Sequence, residues 1–351
     1  NEQPAAITAT VSPRGEDGMP ELRIPALTDE VLRGIGRVHL VGCGTAMHAG
    51  MVGKSAIEAL ARVPAEVDIA SEFRYRDPIV DEHTLMIVIS QSGETADTIA
   101  ALREAKERGA KTLAICNVVG STIARLADTV LYTWAGPEIA VATTKGYTTQ
   151  VAILDLLAVY LARRLSRIDD GEERRLVREI QKIPQQMQRS VDLNPGLPDI
   201  AKSYHDNQNM FFIGRNLDYA VCLESSLKLK EISYIHSEAC AAGELKHGPI
   251  ALIEPGRLVI ALACQERLFD KTMSNIKEVK ARGAEVLGVA MEGNTRILTE
   301  ADKAIYIPRC EPLFAAAPAI VPMQLFAYYV AKENGCDIDK PKNLAKSVTV
   351  E

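Results

Sequence analysis

Hydroxyl side chains are concentrated in one short stretch of the sequence, ISQSGETADT at residues 89–98. The apolar run 85–89 is typical of a buried parallel strand, and residues 95–108 have the spacing of a helix. A strand-to-helix turn leaves backbone N–H groups and the positive end of a helix dipole free to bind an anion. Three hydroxyls and a glycine within six residues suit a phosphate, whereas the plain alternative is a cluster of helix N-caps.

A second group of candidate residues lies in the segment 223–249. If this segment begins as a helix, Glu224, Lys228 and Glu231 fall at i, i+4 and i+7 and share one stripe. The alternative is a surface ion pair worth about a few tenths of a kcal/mol. Leucines and isoleucines leave little of this helix to face water, which favours a partly buried polar stripe. A buried glutamate beside a lysine can be adjusted for proton transfer.

Two further candidates depend on their place in the chain. His247 precedes Gly248-Pro249, a pair that ends regular structure and predicts an imidazole on a loop near the other candidates, although a solvated histidine is the alternative. Lys346 lies in the C-terminal tail, where residues usually fray. Such a lysine is solvated unless burial or a neighbouring cation makes it a nucleophile toward carbonyl groups.

The elements that would position these residues occur twice along the chain. The matching pairs are VHLVGCG (38–44) with MFFIGRN (210–216), ERGAKTLAICN (107–117) with ARGAEVLGVAM (281–291), and TTQVAILDLLAVYLA (148–162) with PMQLFAYYVAKEN (322–334). In each copy apolar strands alternate with helices, which indicates a parallel sheet covered on both faces. We therefore predict an α/β fold with two doubly wound domains related by an internal repeat. Ligands in such sheets bind at the carboxyl ends of the strands, where Gly44-Thr45 and the serine-rich turn would lie.

The repeat also predicts the domain boundaries. They are an N-terminal linker segment (1–29), a first domain (30–180), a second domain (200–340) and a C-terminal tail (341–351). The link between the copies contains DDGEERRLVREIQ, which predicts a solvated amphipathic helix, and then proline and glycine, which mark a boundary. Because the chain begins without methionine in polar sequence, we expect it to be a piece of a longer protein.

Composition excludes several classes of protein. With 351 residues and 47% hydrophobic content, the chain is long enough for about two domains with their own cores. A net charge of −6 gives no electrostatic basis for binding nucleic acid, and no apolar run approaches the length of a membrane span. The seven cysteines form no C-x-x-C pair, so we expect reduced, buried cysteines in a cytoplasmic protein.

Taken together and in order, several stretches closely resemble one family. They are Cys43-Gly44-Thr45, ASEFRYR (70–76), SQSGETADT (90–98), AICN (114–117), VATTKGYTTQ (141–150), LKLKEISYIHSEACAAGELKHGP (227–249) and NLAKSVTVE (343–351). They resemble the isomerase part of the glutamine–fructose-6-phosphate aminotransferases, also called glucosamine-6-phosphate synthases, which is built from two sugar-isomerase (SIS) domains. The resemblance covers nearly the whole chain, and the last two stretches are specific to this family within its superfamily.

The resemblance implies which residues bind the substrate. It assigns Ser90, Gln91, Ser92 and Thr95 to the sugar phosphate, and Thr45, Ala46, Val141, Glu224 and Ala345 to the remaining substrate site. Ala46 stands where many family members have a serine, so one hydroxyl for the phosphate is absent. Thr143 replaces a common serine conservatively.

The resemblance also implies four catalytic residues. Glu231 would move a proton between C1 and C2 with Lys228 assisting, His247 would open the fructose ring, and Lys346 would form an imine with the C2 ketone. In the family this histidine reaches in from the neighbouring subunit of a homodimer, and the C-terminal tail acts as a lid. No metal or other cofactor is implied.

The implied function is the isomerase half of the family reaction. With ammonia from a glutaminase domain that this chain lacks, it would convert fructose 6-phosphate into glucosamine 6-phosphate for amino-sugar biosynthesis. Alone, it would isomerise fructose 6-phosphate to glucose 6-phosphate. Two alternatives remain open: a fructosamine-6-phosphate deglycase, and a non-catalytic SIS module that binds a sugar phosphate.

Overall fold

The computed structural model describes residues 1–346 of the chain, except 13–19, 21 and 23. Contacts between Cα atoms divide the chain into two units. The first unit contains residues 1–138 and 143–184 together with Ala345 and Lys346, and the second contains residues 139–142 and 185–344.

The first unit is built from strands and helices in alternation. Its elements are α1 (Gln3–Val11), α2 (Asp29–Gly34), β1 (Arg37–Gly42), α3 (Thr45–Leu60), β2 (Ala65–Ile69), α4 (Ala70–Tyr75), β3 (Thr84–Ser90), α5 (Ala96–Glu107), β4 (Lys111–Cys116), α6 (Thr122–Leu126), β5 (Thr129–Tyr132) and α7 (Lys145–Arg164). The strands form one parallel sheet in the order β2-β1-β3-β4-β5. Every residue of β3 is buried, as an apolar central strand in a sheet covered on both faces requires.

A long helix, α8 (Asp170–Asp192), continues the chain from the first unit into the second. Leu176, Ile180, Ile183 and Met187 are buried at helical spacing, and most of the charged side chains lie on the other face. This confirms the amphipathic helix predicted for the link between the copies.

The second unit repeats the architecture of the first. Its elements are α9 (Leu197–Lys202), β6 (Asn209–Gly214), α10 (Leu217–Ser233), β7 (His236–Ala241), β8 (Leu258–Leu262), α11 (Phe269–Lys280), β9 (Glu285–Met291), β10 (Lys303–Ile307) and α12 (Ala316–Glu333). The parallel strands follow the order β7-β6-β8-β9-β10, which is the order of the first sheet. The prediction of two doubly wound domains related by a repeat is therefore confirmed.

Helix α7 is the most deeply buried helix of the first unit. All of its residues are buried except Tyr160, Arg163 and Arg164. It packs mainly against α3 and α1. Gly53 of α3 makes this approach close, because a Cβ there would lie 2.8 Å from Leu154. Within α7, Asp155 is fully buried, and desolvation raises the pKa of its carboxyl well above the usual range.

The structure bears on two expectations from composition, the state of the cysteines and the length of the apolar helices. All seven cysteines are free thiols, and Cys116, Cys222, Cys240 and Cys264 are buried. Within the described residues, every helix is too short or too polar to cross a membrane.

Candidate functional site

The serine-rich stretch forms a compact turn between β3 and α5, which we call the 90–95 turn. The Oγ atom of Ser90 lies 3.1 Å from Oγ1 of Thr95 and accepts the N–H of Gly93 at 3.1 Å. The Oγ atom of Ser92 accepts the N–H of Glu94 at 3.2 Å. The three hydroxyls therefore lie on one short piece of backbone, as the sequence predicted.

Gly93 and Glu94 attach this turn to the loop that follows β4. Gly93 has φ +68°, and a Cβ there would overlap Oγ of Ser121. Its carbonyl accepts the N–H of Ile123 at 3.1 Å. The backbone N–H of Thr122 donates to the Glu94 carboxylate at 2.8 Å, which lowers the pKa of that carboxyl. These contacts fix the shape of the turn before any ligand binds.

The 90–95 turn leads directly into the N-terminus of α5. Thr95 is the N-cap residue, but its side chain makes no capping hydrogen bond to the helix. The first N–H groups of an α-helix have no partner within the helix, and the helix dipole favours an anion beside them. The plain alternative, that these hydroxyls act as helix caps, does not describe Thr95. The turn has the donors that a phosphate requires.

The second predicted contact region for the substrate follows β1. Gly44, with φ 52° and ψ −123°, precedes α3, whose first residues Thr45 and Ala46 are buried. The strands β1 and β3 are neighbours, and the order of the sheet reverses between them. In open α/β sheets a ligand binds at such a reversal, outside the carboxyl ends of the strands. Thr45, Ala46 and the 90–95 turn therefore lie at the place where this fold binds ligands.

Glu138, which sequence reasoning missed, lies beside the predicted imine-forming lysine. Its carboxylate accepts the N–H of Thr144 at 2.7 Å, the N–H of Gly146 at 3.3 Å and the hydroxyl of Thr143. Its Oε2 atom lies 3.9 Å from Nζ of Lys346, and its side chain is only 5% exposed. One buried carboxylate thus holds the start of α7 and attracts the amine of the tail.

The predicted polar stripe is present on α10 in the second unit. Nζ of Lys228 lies 2.5 Å from Oε2 of Glu231 and 3.5 Å from Oε1 of Glu224. Lys228 and Glu224 are buried, whereas the Glu231 side chain is 21% exposed. Burial alone would lower the pKa of Lys228, but the two carboxylates outweigh it and raise that pKa. Glu231 is the member of the stripe that a ligand can reach.

The remaining predicted residues are placed as follows. His247 is exposed and ends a one-turn 3-10 helix, Leu245–His247, rather than lying in irregular loop. The Val141 N–H donates to the carbonyl of Asp339 at 3.2 Å in the second unit. Ala345 is exposed in the first unit, and residues 347–351 of the predicted lid lie outside the described residues.

The predicted site residues thus form two sets. The first unit contains Thr45, Ala46, Ser90, Gln91, Ser92, Thr95, Ala345 and Lys346. The second contains Val141, Glu224, Lys228, Glu231 and His247.

Among the side chains that the structure describes, one group has the types and spacing to hold a metal ion. The ligand atoms of His39, Glu66 and Asp68 lie within 4.8 Å of one another. However, Nε2 of His39 is 2.7 Å from Glu66, whose pKa it lowers, and Arg76 pairs with Asp68 at 2.6 Å. Because both carboxylates already have partners, we interpret this group as an ion-pair network on β1 and β2.

Comparison with known proteins places this geometry in a family. The family model described as SIS domain matches residues 31–160 and 203–332. The solved structure of the C-terminal domain of glucosamine-fructose-6-phosphate aminotransferase from Francisella tularensis superimposes with a TM-score of 0.91 at 36% identity. That alignment covers 97% of this chain and 96% of that one. The tagatose-6-phosphate ketose/aldose isomerase of Escherichia coli, with a TM-score of 0.81 at 17% identity over 98% of this chain and 95% of that one, shares the fold.

Sequence relatives agree with the structural match. The glutamine–fructose-6-phosphate aminotransferase of Clostridium tetani is 56% identical over 354 residues, which include all of this chain and 58% of the relative. That of Thermus thermophilus is 47% identical with the same coverage. The chain therefore spans less than two thirds of the length of these relatives. It belongs to the SIS-domain family, in which it matches the C-terminal, isomerase part of the glutamine–fructose-6-phosphate aminotransferases.

Proposed function

We propose that this chain is the part of a glucosamine-6-phosphate synthase that binds fructose 6-phosphate and carries out the sugar chemistry. One observation carries the proposal: the chain contains both the 90–95 turn and the α10 stripe. It also aligns over its whole length with glutamine–fructose-6-phosphate aminotransferases. The names of those relatives include the term isomerizing, which fits a proton-transfer site.

In this proposal the 90–95 turn binds the phosphate of the substrate. Ser90, Gln91, Ser92 and Thr95 supply hydroxyls, an amide and backbone N–H groups at the start of α5. The turn is fixed in advance by Gly93 and Glu94, so little ordering is required when the phosphate binds. Binding energy from this remote group then positions the reacting carbons.

Ring opening and isomerisation are assigned to the second unit. His247, which is exposed, would act as the acid and base that opens the fructose ring. Glu231 would remove the proton from C1 of the open ketose and return it to C2 of the enediol, which gives glucose 6-phosphate. The partly exposed Glu231 suits this role better than Glu224, which has no contact with solvent. Lys228, 2.5 Å from Glu231, would keep the Glu231 carboxylate ionised before the first transfer, so that it can accept the proton.

Nitrogen transfer is assigned to Lys346. Its amine would attack the C2 ketone and release water, forming an imine that ammonia attacks at C2, with release of the lysine amine. The same C1-to-C2 proton transfer then gives glucosamine 6-phosphate. The ammonia would come from a glutaminase domain in the longer protein, since this chain corresponds to 58% of its relatives. We further propose a homodimer in which His247 completes the neighbouring subunit's site.

The first test is the conversion of fructose 6-phosphate to glucose 6-phosphate by the purified chain, followed with a coupled dehydrogenase. We expect turnover that Glu231→Gln abolishes, while Glu107→Gln, an exposed glutamate at the end of α5, leaves turnover unchanged. If both variants keep their turnover, the assignment of Glu231 is refuted. Binding of the sugar phosphate without turnover would indicate a sensor instead.

The second test supplies ammonia directly. Lys346→Ala should abolish formation of glucosamine 6-phosphate, whereas Lys271→Ala, an exposed lysine on α11, should not. Borohydride reduction in the presence of fructose 6-phosphate should leave the sugar attached to Lys346, as read by mass spectrometry. Turnover of amine-bearing sugar phosphates but not of fructose 6-phosphate would indicate a deglycase.

A further inference from the structure

The two units contain the same turn between their first strand and the helix that follows. Gly44 before α3 has φ 52° and ψ −123°, and Asn216 before α10 has φ 54° and ψ −120°. Two residues earlier, a Cβ on Gly42 would lie 3.0 Å from the Ala46 backbone, and one on Gly214 would lie 2.7 Å from the Asp218 backbone. Ala46 and Asp218 therefore occupy equivalent positions in the first turn of their helices.

The neighbouring strand gives a second correspondence. In the first sheet Val38 pairs with Leu85, and in the second the equivalent Met210 pairs with Leu258. Counting forward from these pairs, Gln91 and Ser92 of the 90–95 turn correspond to Cys264 and Gln265 after β8. The backbone N–H groups of Cys264 and Gln265 thus have the position of donors that the proposed function gives to phosphate.

In the second unit these donors already bind an anionic group. The N–H of Cys264 donates to Oδ2 of Asp218 at 2.9 Å, and the N–H of Gln265 donates to the same atom at 3.2 Å. Asp218 is only 2% exposed. Burial raises the pKa of this carboxyl to about 7, although the two N–H groups act in the opposite direction. The alanine at the equivalent position of the first unit presents no such group.

We propose that Asp218 fills, from within the chain, an anion site in the second domain that is equivalent to the phosphate site of the first. This inference rests on the proposed function only in that the first site is taken to bind phosphate. The ligand class that the second site would accept without Asp218 is a phosphate monoester or inorganic phosphate. Of these two equivalent places, only the one in the first domain would then accept phosphate, because position 46 is alanine and position 218 is aspartate.

The second domain also has a cavity beside Cys264, one of the two residues whose N–H groups bind Asp218. A cavity of about 450 Å³ adjoins Cys264 at the carboxyl ends of the strands, with Arg296 and Arg309 in its wall. Arg296 pairs with Asp270 at 2.6 Å, and Nε of Arg309 donates to the carbonyl of Glu292 at 3.1 Å. Cys264 therefore belongs both to the wall of this cavity and to the pair of N–H donors that Asp218 occupies.

The test is the number of phosphates bound per chain, measured by equilibrium dialysis with radiolabelled inorganic phosphate. Wild type should bind one, and Asp218→Ala should bind two. Asp218→Asn keeps the bulk of the side chain without its charge and should still bind one. The Ser92→Ala/Thr95→Ala variant locates the first site. If wild type binds none, the proposed function of the first turn fails, while a gain of one site in Asp218→Ala still supports this inference.

Thermal unfolding provides a second readout if the alanine variant is weakly folded. Phosphate that fills the place of Asp218 should raise the melting temperature of Asp218→Ala more than that of wild type, because a ligand that binds the folded state stabilises it. Two phosphates bound by wild type, or a folded Asp218→Ala chain with no additional site and no additional thermal shift, would overturn the inference.

Discussion

Replacing Lys228 with methionine tests the energetics of the α10 stripe. The change keeps the length and apolar stem of the side chain and removes its ammonium, which lies 2.5 Å from Glu231 and 3.5 Å from Glu224. Lys228 is 2% exposed and Glu224 is fully buried, so water cannot replace the lost positive charge. The variant therefore keeps two neighbouring carboxylates without the cation between them.

The expected cost follows from that burial. Removing one partner of a buried ion pair destabilises a protein by about 3–5 kcal/mol, because the remaining charge is uncompensated. Carboxylates that lose their cation and face each other have raised pKa values, so the folded variant binds a proton that the unfolded chain releases above about pH 4. The free energy of unfolding of Lys228→Met should therefore rise as the pH falls from 8 to 5.

Wild type gives the reference for this pH dependence. The raised pKa of Lys228 means that its contribution to stability is fully present below about pH 10 and is lost only above that value. Between pH 5 and pH 8 the contribution of Lys228 is constant. A change in the difference between variant and wild type over this interval therefore reports the carboxylates of the variant.

Urea unfolding at pH 5 and pH 8 measures both quantities. The chain has a single tryptophan, Trp134, in the first unit, so its fluorescence follows that unit while circular dichroism follows both. The Glu224→Gln/Lys228→Met double variant removes two opposite charges and should recover most of the loss. A loss below about 1 kcal/mol, or one that is equal at the two pH values, would refute the picture of a tightly coupled buried stripe.

Three further predictions concern the first unit. Glu138→Gln should lower the fraction of chains that borohydride traps at the tail lysine, as measured by mass spectrometry. It should leave the phosphate affinity unchanged, as measured by dialysis. Trapping equal to that of wild type would contradict a positioning role for Glu138. Asp155→Asn should stabilise the protein increasingly as the pH rises from 5 to 8, because the raised pKa of Asp155 makes wild type lose stability over that interval. Thermal unfolding should show a gain of at least about 1 kcal/mol at pH 8. A difference between variant and wild type that does not change with pH would contradict this prediction. Gly93→Ala should abolish phosphate binding, because the added Cβ would overlap Ser121. Gly120→Ala is the matched control: it has a similar φ and open space around it, so it should cost only about 1–2 kcal/mol of backbone strain and still bind phosphate. Equal loss of phosphate binding in the two variants would show that backbone strain, and not the overlap with Ser121, is the cause.

Local patterns in the sequence predicted several of the elements and the alternation of strands and helices. The apolar run 85–89 became β3, and the spacing of Glu224, Lys228 and Glu231 became a largely buried stripe because most of α10 is buried. These features depend on periodicity along one element, which a sequence displays directly. Similarly, the repeat predicted two related doubly wound domains, and the structure shows that their sheets share one strand order.

Contacts between distant parts of the chain could not be predicted in this way. Glu138 lies seven residues before α7 begins at Lys145, outside the spacing of a capping box, so nothing local marks it as a partner of that helix. Asp218 reads as an ordinary acidic residue in the first turn of a helix, where the dipole favours it. Its partners are the N–H groups of residues 264 and 265, which only the folded sheet brings beside it.

The burial of α7 limits how the first unit can move. It packs mainly against α3 and α1, and its one carboxyl, that of Asp155, has no contact with water. Displacing such a helix would expose its whole apolar surface at once, so loosening it amounts to unfolding the unit cooperatively. If the proposed function holds, movements of the first unit that admit and release the substrate should therefore involve its loops rather than α7. The amide hydrogens of α7 would then exchange with solvent only through global opening.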